Sequence, residues 1–262
     1  MTPIDRRGAL SHFARLALAA AVADIASIES ALSGAITVDD RPSTFAEEMA
    51  ASMPPGLALP AEFLQLFAFL EANGYVNTFK RGRGRYALLY PEPWRRGMSL
   101  VSFQPGTPEF ARQWTGSDDP AVTLRLAEFC RTGGDGSHAA LWRDDAGKLW
   151  IVHLGSGSGS TWLGVITDKP VDFLRFLAIG YIEACWDEHF ALPPAAASVA
   201  GGGDGAVIPP AAFRAHVEKT HGVSIPRVGA DIVRSVSHMG DARSSDPFWL
   251  WLTKLQNERE KK

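Results

Sequence analysis

The 262-residue chain has little sulfur to spare for bridges: its two cysteines, Cys130 and Cys185, stand far apart inside apolar stretches. Free cysteine buries as a small hydrophobe and a chain of this length needs no staple, so reduced thiols in a reducing compartment are expected. Charge of one sign is not in excess either, since 26 Lys and Arg against 29 Asp and Glu leave a formal charge of -3. Such a balance demands neither nucleic acid nor an anionic membrane as a partner. No apolar run reaches the ~20 residues that spanning a bilayer requires. Cys-x-x-Cys and His-x-x-x-His spacings are absent, so no metal or cofactor is expected, and no internal repeat is present.

What the sequence does have is a globular composition, 46 % apolar and 21 % charged with eight tryptophans, enough for one large domain or a medium domain with decorated ends. Arg6-Arg7 ahead of the Ala-rich run Leu16–Ala23 resembles a twin-arginine signal, which would send the protein to the periplasm. His12 and Arg15 interrupt that run, however, and Leu10, Phe13, Leu16, Ala20, Ile28 and Leu32 follow helical spacing. An amphipathic helix over residues 8 to 33 and a cytoplasmic protein explain the segment more simply.

A second helix is predicted from Ser43 to Ser52, with Ser43 as N-cap and Glu47 near the capping-box place. Pro60 opens a third, with Phe63, Leu66, Phe67 and Leu70 on one face and Asn73-Gly74 as a left-handed stop. Extended structure suits Arg85 to Tyr90 and Ser99 to Phe103, and helices are read over 107 to 113 and 120 to 131, the latter burying Val122, Leu124, Leu126, Phe129 and Cys130. The central signal is a hairpin: His138 to Trp142, a turn at Asp144-Asp-Ala-Gly147, and a return strand Lys148 to Leu154. Trp162 to Ile166 is a further strand and Pro170 starts an apolar helix. Residues 193 to 210 are Pro, Ala and Gly with few large side chains, and read as a mobile linker. Helices at 210 to 220 and 247 to 255 follow. The division expected is an N-terminal extension (1–56), an α+β domain (57–192), the linker, and a C-terminal helical extension (211–262).

Three constellations could carry chemistry. Gly155-Ser-Gly-Ser-Gly-Ser160 invites a phosphate-cradle reading, but it lacks the Lys-Ser/Thr ending of a P-loop and precedes a strand. His138 and His153 face each other across the predicted hairpin and could in principle share a metal with Asp135, Asp144 or Asp145, but the apolar neighbours of His153 favour a hydrogen-bonded structural histidine. A hydrolase would use His153 with a serine of the 155–160 loop, which departs from the Gly-x-Ser-x-Gly elbow. The remaining cluster is basic and aromatic: Arg81, Arg83 and Arg85, with Arg95-Arg96, interleaved with Tyr75, Phe79, Tyr86 and Trp94. That composition suits a protein interface, with an acidic patch on the partner.

The order of elements, and the segments Leu59-Pro-Ala-Glu-Phe-Leu64 with Glu71-Ala-Asn-Gly74, Ser137-His-Ala-Ala-Leu-Trp142, Trp150-Ile-Val-His-Leu-Gly-Ser156 and Val171-Asp-Phe-Leu-Arg-Phe-Leu177, resemble the SUKH superfamily. The resemblance spans residues 57 to 186, and the family's Gly-Asp-Gly turn appears as Gly133-Gly-Asp-Gly136. It implies an antiparallel β-meander packed against helices, here with extra N- and C-terminal helices. It also implies an immunity protein without catalytic residues, binding and neutralising a cognate toxin inside the cell. Candidate anchors are Arg81, Arg83, Arg85, Trp94, Trp142, Trp150 and Trp162, Trp and Arg being the common hot-spot residues. An enzyme built on His153 and the 155–160 loop, and a regulatory scaffold, are the alternatives.

Overall fold

Strand alternation and two helical faces organise the chain into an antiparallel sheet covered on both sides. The computed structural model describes residues 42 to 80 and 84 to 260; the expected helix 8–33, the Arg6-Arg7 motif, and Arg81 and Arg83 lie outside them. The sheet has seven strands in sequence order: β1 (Val76–Thr78), β2 (Arg85–Leu88), β3 (Ser102–Phe103), β4 (Leu126–Arg131), β5 (His138–Arg143), β6 (Leu149–Leu154) and β7 (Leu163–Thr167). Each strand pairs antiparallel with its predecessor, which makes the sheet the expected meander in an α+β fold.

One face of the sheet carries Ala87, Phe103, Phe129, Ala139, Leu141 and Ile151 into a core with the helices α1 (Phe45–Ala51), α2 (Ala61–Ala72), α5 (Pro170–Ala178) and α7 (Ala211–His221). Phe63, Leu66, Phe67 and Leu70 of α2 are all buried there, as their spacing predicts, and Gly74 at φ +78° ends the helix. The other face carries Leu126, Ala140, Trp142, Val152, Leu154 and Leu163 against Phe110 of α3 (Phe110–Thr115) and Phe248, Trp249 and Leu252 of α8 (Pro247–Glu260). The aromatic C-terminal helix thus docks on its own sheet.

Asp246 joins that helix to the sheet edge. Its Oδ2 accepts from Val165 N–H at 2.8 Å, and its Oδ1 accepts from the N–H groups of Phe248 and Trp249 at 2.9 Å each. One carboxylate therefore caps α8 and satisfies an outward-pointing donor of β7.

Three expectations are corrected. The N-cap of α1 is Thr44, not Ser43: a capping box needs the acid three residues on, and Thr44 with Glu47 meets that spacing while Ser43 Oγ donates to Glu48 instead. The helix read over 120 to 131 is a single turn, α4 (Pro120–Thr123), followed by strand β4. Leu126 to Cys130 are all buried because helices cover both faces, and a continuous apolar run does not distinguish a doubly buried strand from a helix. Residues 193 to 210 hold a helix, α6 (Pro194–Ala200), and Ile208 is bound on both sides, its N–H to Gly97 O at 2.8 Å and its carbonyl accepting from Tyr90 Oη at 2.7 Å. No boundary falls there, since the chain from Ser43 onward is one unit. Among the described residues no helix is long and apolar enough to cross a membrane.

Candidate functional site

A β-bulge decides which side chains meet at the end of the sheet. Glu128 pairs with Ala140, Cys130 with Ala139 and Arg131 with His138, so Phe129 and Cys130 together oppose one residue of β5. Both go to the first core. In an unbroken strand residues three apart point to opposite faces; the bulge returns Glu128 and Arg131 to the same face, beside His138.

Glu128 is 5 % exposed and fully engaged: Oε1 accepts from Thr107 N–H at 3.1 Å and Thr107 Oγ1 at 3.3 Å, and Oε2 lies 2.7 Å from His138 Nδ1. The last is an ion-pair distance with the ring N–H off the hydrogen-bond axis. Phe110 packs on the imidazole at 5.5 Å between centroids, and Nε2 is left as the ring nitrogen without a protein partner among the described residues. These residues line an open cleft of about 530 Å³, together with Gln104, Gln113, Trp114, Arg131, Asp135, Ser156 and Ser158.

The 155–160 loop borders this cleft, and the anion it wraps is the protein's own. Asp135 Oδ2 accepts from Ser137 Oγ at 2.7 Å and from Ser156 Oγ and Ser160 N–H at 2.9 Å each, while Oδ1 accepts from Ser137 N–H at 2.9 Å. Burial opposes ionisation of Asp135, but these four donors outweigh it and hold the carboxyl at about 2. Gly159 allows the approach: a Cβ there would lie 2.7 Å from Asp135 Oδ2. The Gly133-Gly-Asp-Gly136 turn and the Gly/Ser loop are thus two halves of one structure.

His153 is not part of the cleft. The register sets His138 against Leu154 and His153 against Ala139, so the two imidazoles lie on opposite faces of the sheet and cannot share a metal. His153 is fully buried between Thr132 Oγ1 at 2.9 Å and the Trp162 carbonyl at 3.0 Å. The carbonyl can only accept, so Nδ1 carries the proton and Nε2 accepts from Thr132. Burial pushes this imidazole down to about 4, against the pull of the Trp162 carbonyl. Among the described residues no three His, Cys, Asp or Glu side chains are grouped to hold a metal ion.

The expected anchors separate into three groups. Trp142 and Trp162 are buried, at 2 % and 0 % exposure, and are withdrawn as partner contacts because aromatic area of this size is worth most inside a core. Arg85 and Trp150 are half-buried and already tied. Arg85 donates to Glu48 at 3.0 Å, Glu71 at 2.7 Å and the Ser43 carbonyl at 2.7 Å, joining α1, α2 and β2. Trp150 donates to Asp144 Oδ2 at 2.8 Å and carries Lys148 Nζ 3.7 Å over its ring, locking the β5–β6 turn. Trp94 remains at the surface, 49 % exposed.

A cavity of similar size, about 540 Å³, opens beside α6 around Tyr181, Glu183, Trp186 and His189. Its Glu183 is taken up by Gly134 N–H and the Trp186 indole, both at close range. The cleft at the bulge has more unspent polar groups and is the better candidate. Its central residues, Glu128, Arg131, Gln104 and Gln113, are not singled out by sequence reasoning; the one available signal is a carboxylate interrupting the apolar run Leu126 to Cys130. No protein-family model matches the chain, and no curated protein or solved structure matches it either.

Proposed function

We propose that the protein is a binding module of the SUKH kind, an immunity protein that neutralises a cognate protein toxin in the cytoplasm of the cell that makes it. The observation that carries this reading is the open cleft at the bulge, where a guanidinium, an imidazole, two amides and an indole converge on one concave surface. Aromatic and arginine side chains in a shaped recess are the features that concentrate binding energy between proteins. The resemblance adds support, because its segments fall on α2, β5, β6 and α5, elements that enclose the first core.

The test is co-expression of the tagged protein with candidate toxins, beginning with those encoded beside it, followed by gentle purification and a growth assay. The reading expects one stoichiometric partner whose toxicity the protein relieves. Recovery of the protein alone, with toxicity unrelieved in every pairing, would sink it. The Glu128–His138 pair favours a second reading, an enzyme in which the carboxylate orients an imidazole base toward a small substrate. The readings part at His138→Gln: the enzyme reading expects turnover of a small substrate to be lost, the binding reading expects partner binding and protection to weaken together with no turnover to lose.

A further inference from the structure

Resting on that binding reading, we infer that the cleft receives an acidic side chain, an aspartate or glutamate on a loop of the partner protein, and that the Arg131 guanidinium holds it. The inference follows from which groups are spent. Both carboxylates of the cleft are engaged from within, Asp135 by four donors and Glu128 by Thr107 and His138. Among the described residues the Arg131 guanidinium, the side-chain amides of Gln104 and Gln113, the Ser158 hydroxyl and His138 Nε2 have no hydrogen bond or ion pair. What remains open therefore includes one permanent positive charge, the Arg131 guanidinium, beside neutral groups that can either donate or accept, and no unengaged carboxylate.

A basic side chain entering here would meet Arg131 with no free carboxylate to pair with, whereas a carboxylate would find a planar guanidinium able to grip both its oxygens. The bulge gives the arrangement its force. Without it Arg131 would point into the first core, where an unpaired guanidinium is prohibitive; with it, Arg131 is exposed and directly across the strand pair from His138. Glu128 sits behind the imidazole and Phe110 packs against it, so the ring is held in place as a wall beside Arg131. A cleft of about 530 Å³ has room for the tip of a loop as well as its carboxylate.

The test uses the full chain labelled with ¹⁵N and three small probes: N-acetyl-aspartyl amide, its neutral match N-acetyl-asparagine amide, and N-acetyl-arginine amide, with inorganic phosphate as a fourth arm. The aspartyl probe should give saturable amide shifts at Gly136, Ser158 and Arg131, at least tenfold weaker with the asparagine probe and absent with the arginine probe. Arg131→Gln should abolish them and Arg131→Lys should restore part; Arg131 is exposed, so unchanged resonances elsewhere will show the variants folded. Equal binding of the neutral probe, preference for the arginine probe, or binding of phosphate alone would overturn the proposal.

A partner separates the two claims. Once a toxin is in hand, Arg131→Gln should weaken its binding at least tenfold. Unchanged affinity would remove the cleft assignment and leave the binding reading standing, whereas probe binding by a protein that protects against no toxin would do the reverse.

Discussion

His153 and Trp162 stack face to face, ring centroids 4.0 Å apart and planes within 10° of parallel, with the imidazole hydrogen-bonded to the backbone carbonyl of its own stacking partner. A neutral ring fits this place and a charged one does not, since an imidazolium in this fully buried site would lose its hydration with no carboxylate bonded to it in return.

Stability should therefore fall in mild acid. The folded imidazole titrates at about 4 and an unfolded one at 6.5, so between those values the unfolded chain binds more protons and stability declines as pH drops. The full effect, on the order of 2 to 4 kcal/mol, is present above 6.5 and lost by about 4. Urea midpoints measured from pH 7.5 to 4 should slope downward in the wild type and be flatter in His153→Gln. Equal slopes would show that another group carries the acid sensitivity.

Asp135 should set the order of the Gly/Ser loop. Asp135→Ala removes the acceptor shared by Ser137, Ser156 and Ser160 and strands their donors, at a cost of about 1 to 3 kcal/mol. Limited proteolysis should find a new early cut between residues 155 and 160 in the variant. If wild type and variant are cut there at the same rate, the carboxylate does not organise the loop.

Replacing Arg85 should harm the fold more than binding. Its guanidinium spans Glu48, Glu71 and the Ser43 carbonyl, a fork that lysine cannot reproduce. Arg85→Lys should cost about 1 to 2 kcal/mol in denaturant unfolding while partner affinity stays unchanged. A variant as stable as wild type but deficient in binding would restore Arg85 as an anchor.

Asp246→Ala should loosen the second face of the sheet. It removes the cap of α8 and leaves the Val165 N–H without its acceptor, together on the order of 2 to 4 kcal/mol. Hydrogen exchange should quicken over residues 247 to 260 and at Val165, and Asp246→Asn should recover part of the loss. Unaltered exchange at Val165 would show that the carboxylate acts as a cap alone.

Local signals carried the sequence reading far where each element's environment was local. The hairpin from His138 to Leu154 is legible because its turn residues and strand lengths are self-contained, and α2 and α5 are legible because a proline opens each and the buried positions keep helical spacing. Strand β4 is not, because being covered on both faces erases the alternation that marks a strand. The bulge makes this worse by burying Phe129 and Cys130 side by side on one face. It is fixed by pairing with β5, so the meeting of Glu128, Arg131 and His138 is a property of two strands and not of either alone. The small residues of 193 to 210 mislead for a similar reason: what holds them, Tyr90 and Gly97, lies a hundred residues upstream.

The meander has a consequence for synthesis on the ribosome. Every strand pairs with the one made just before it, so the sheet can grow as the chain emerges, the longest closure being the connection from Phe103 to Leu126 that carries α3 and α4. The lid over Trp142, Val152 and Leu163 is made last, since Phe248, Trp249 and Leu252 follow the final strand by some eighty residues. During that interval the nascent sheet presents an apolar face covered in part by α3 alone, and it is there that a chaperone would be needed and that a stalled or prematurely terminated chain would aggregate.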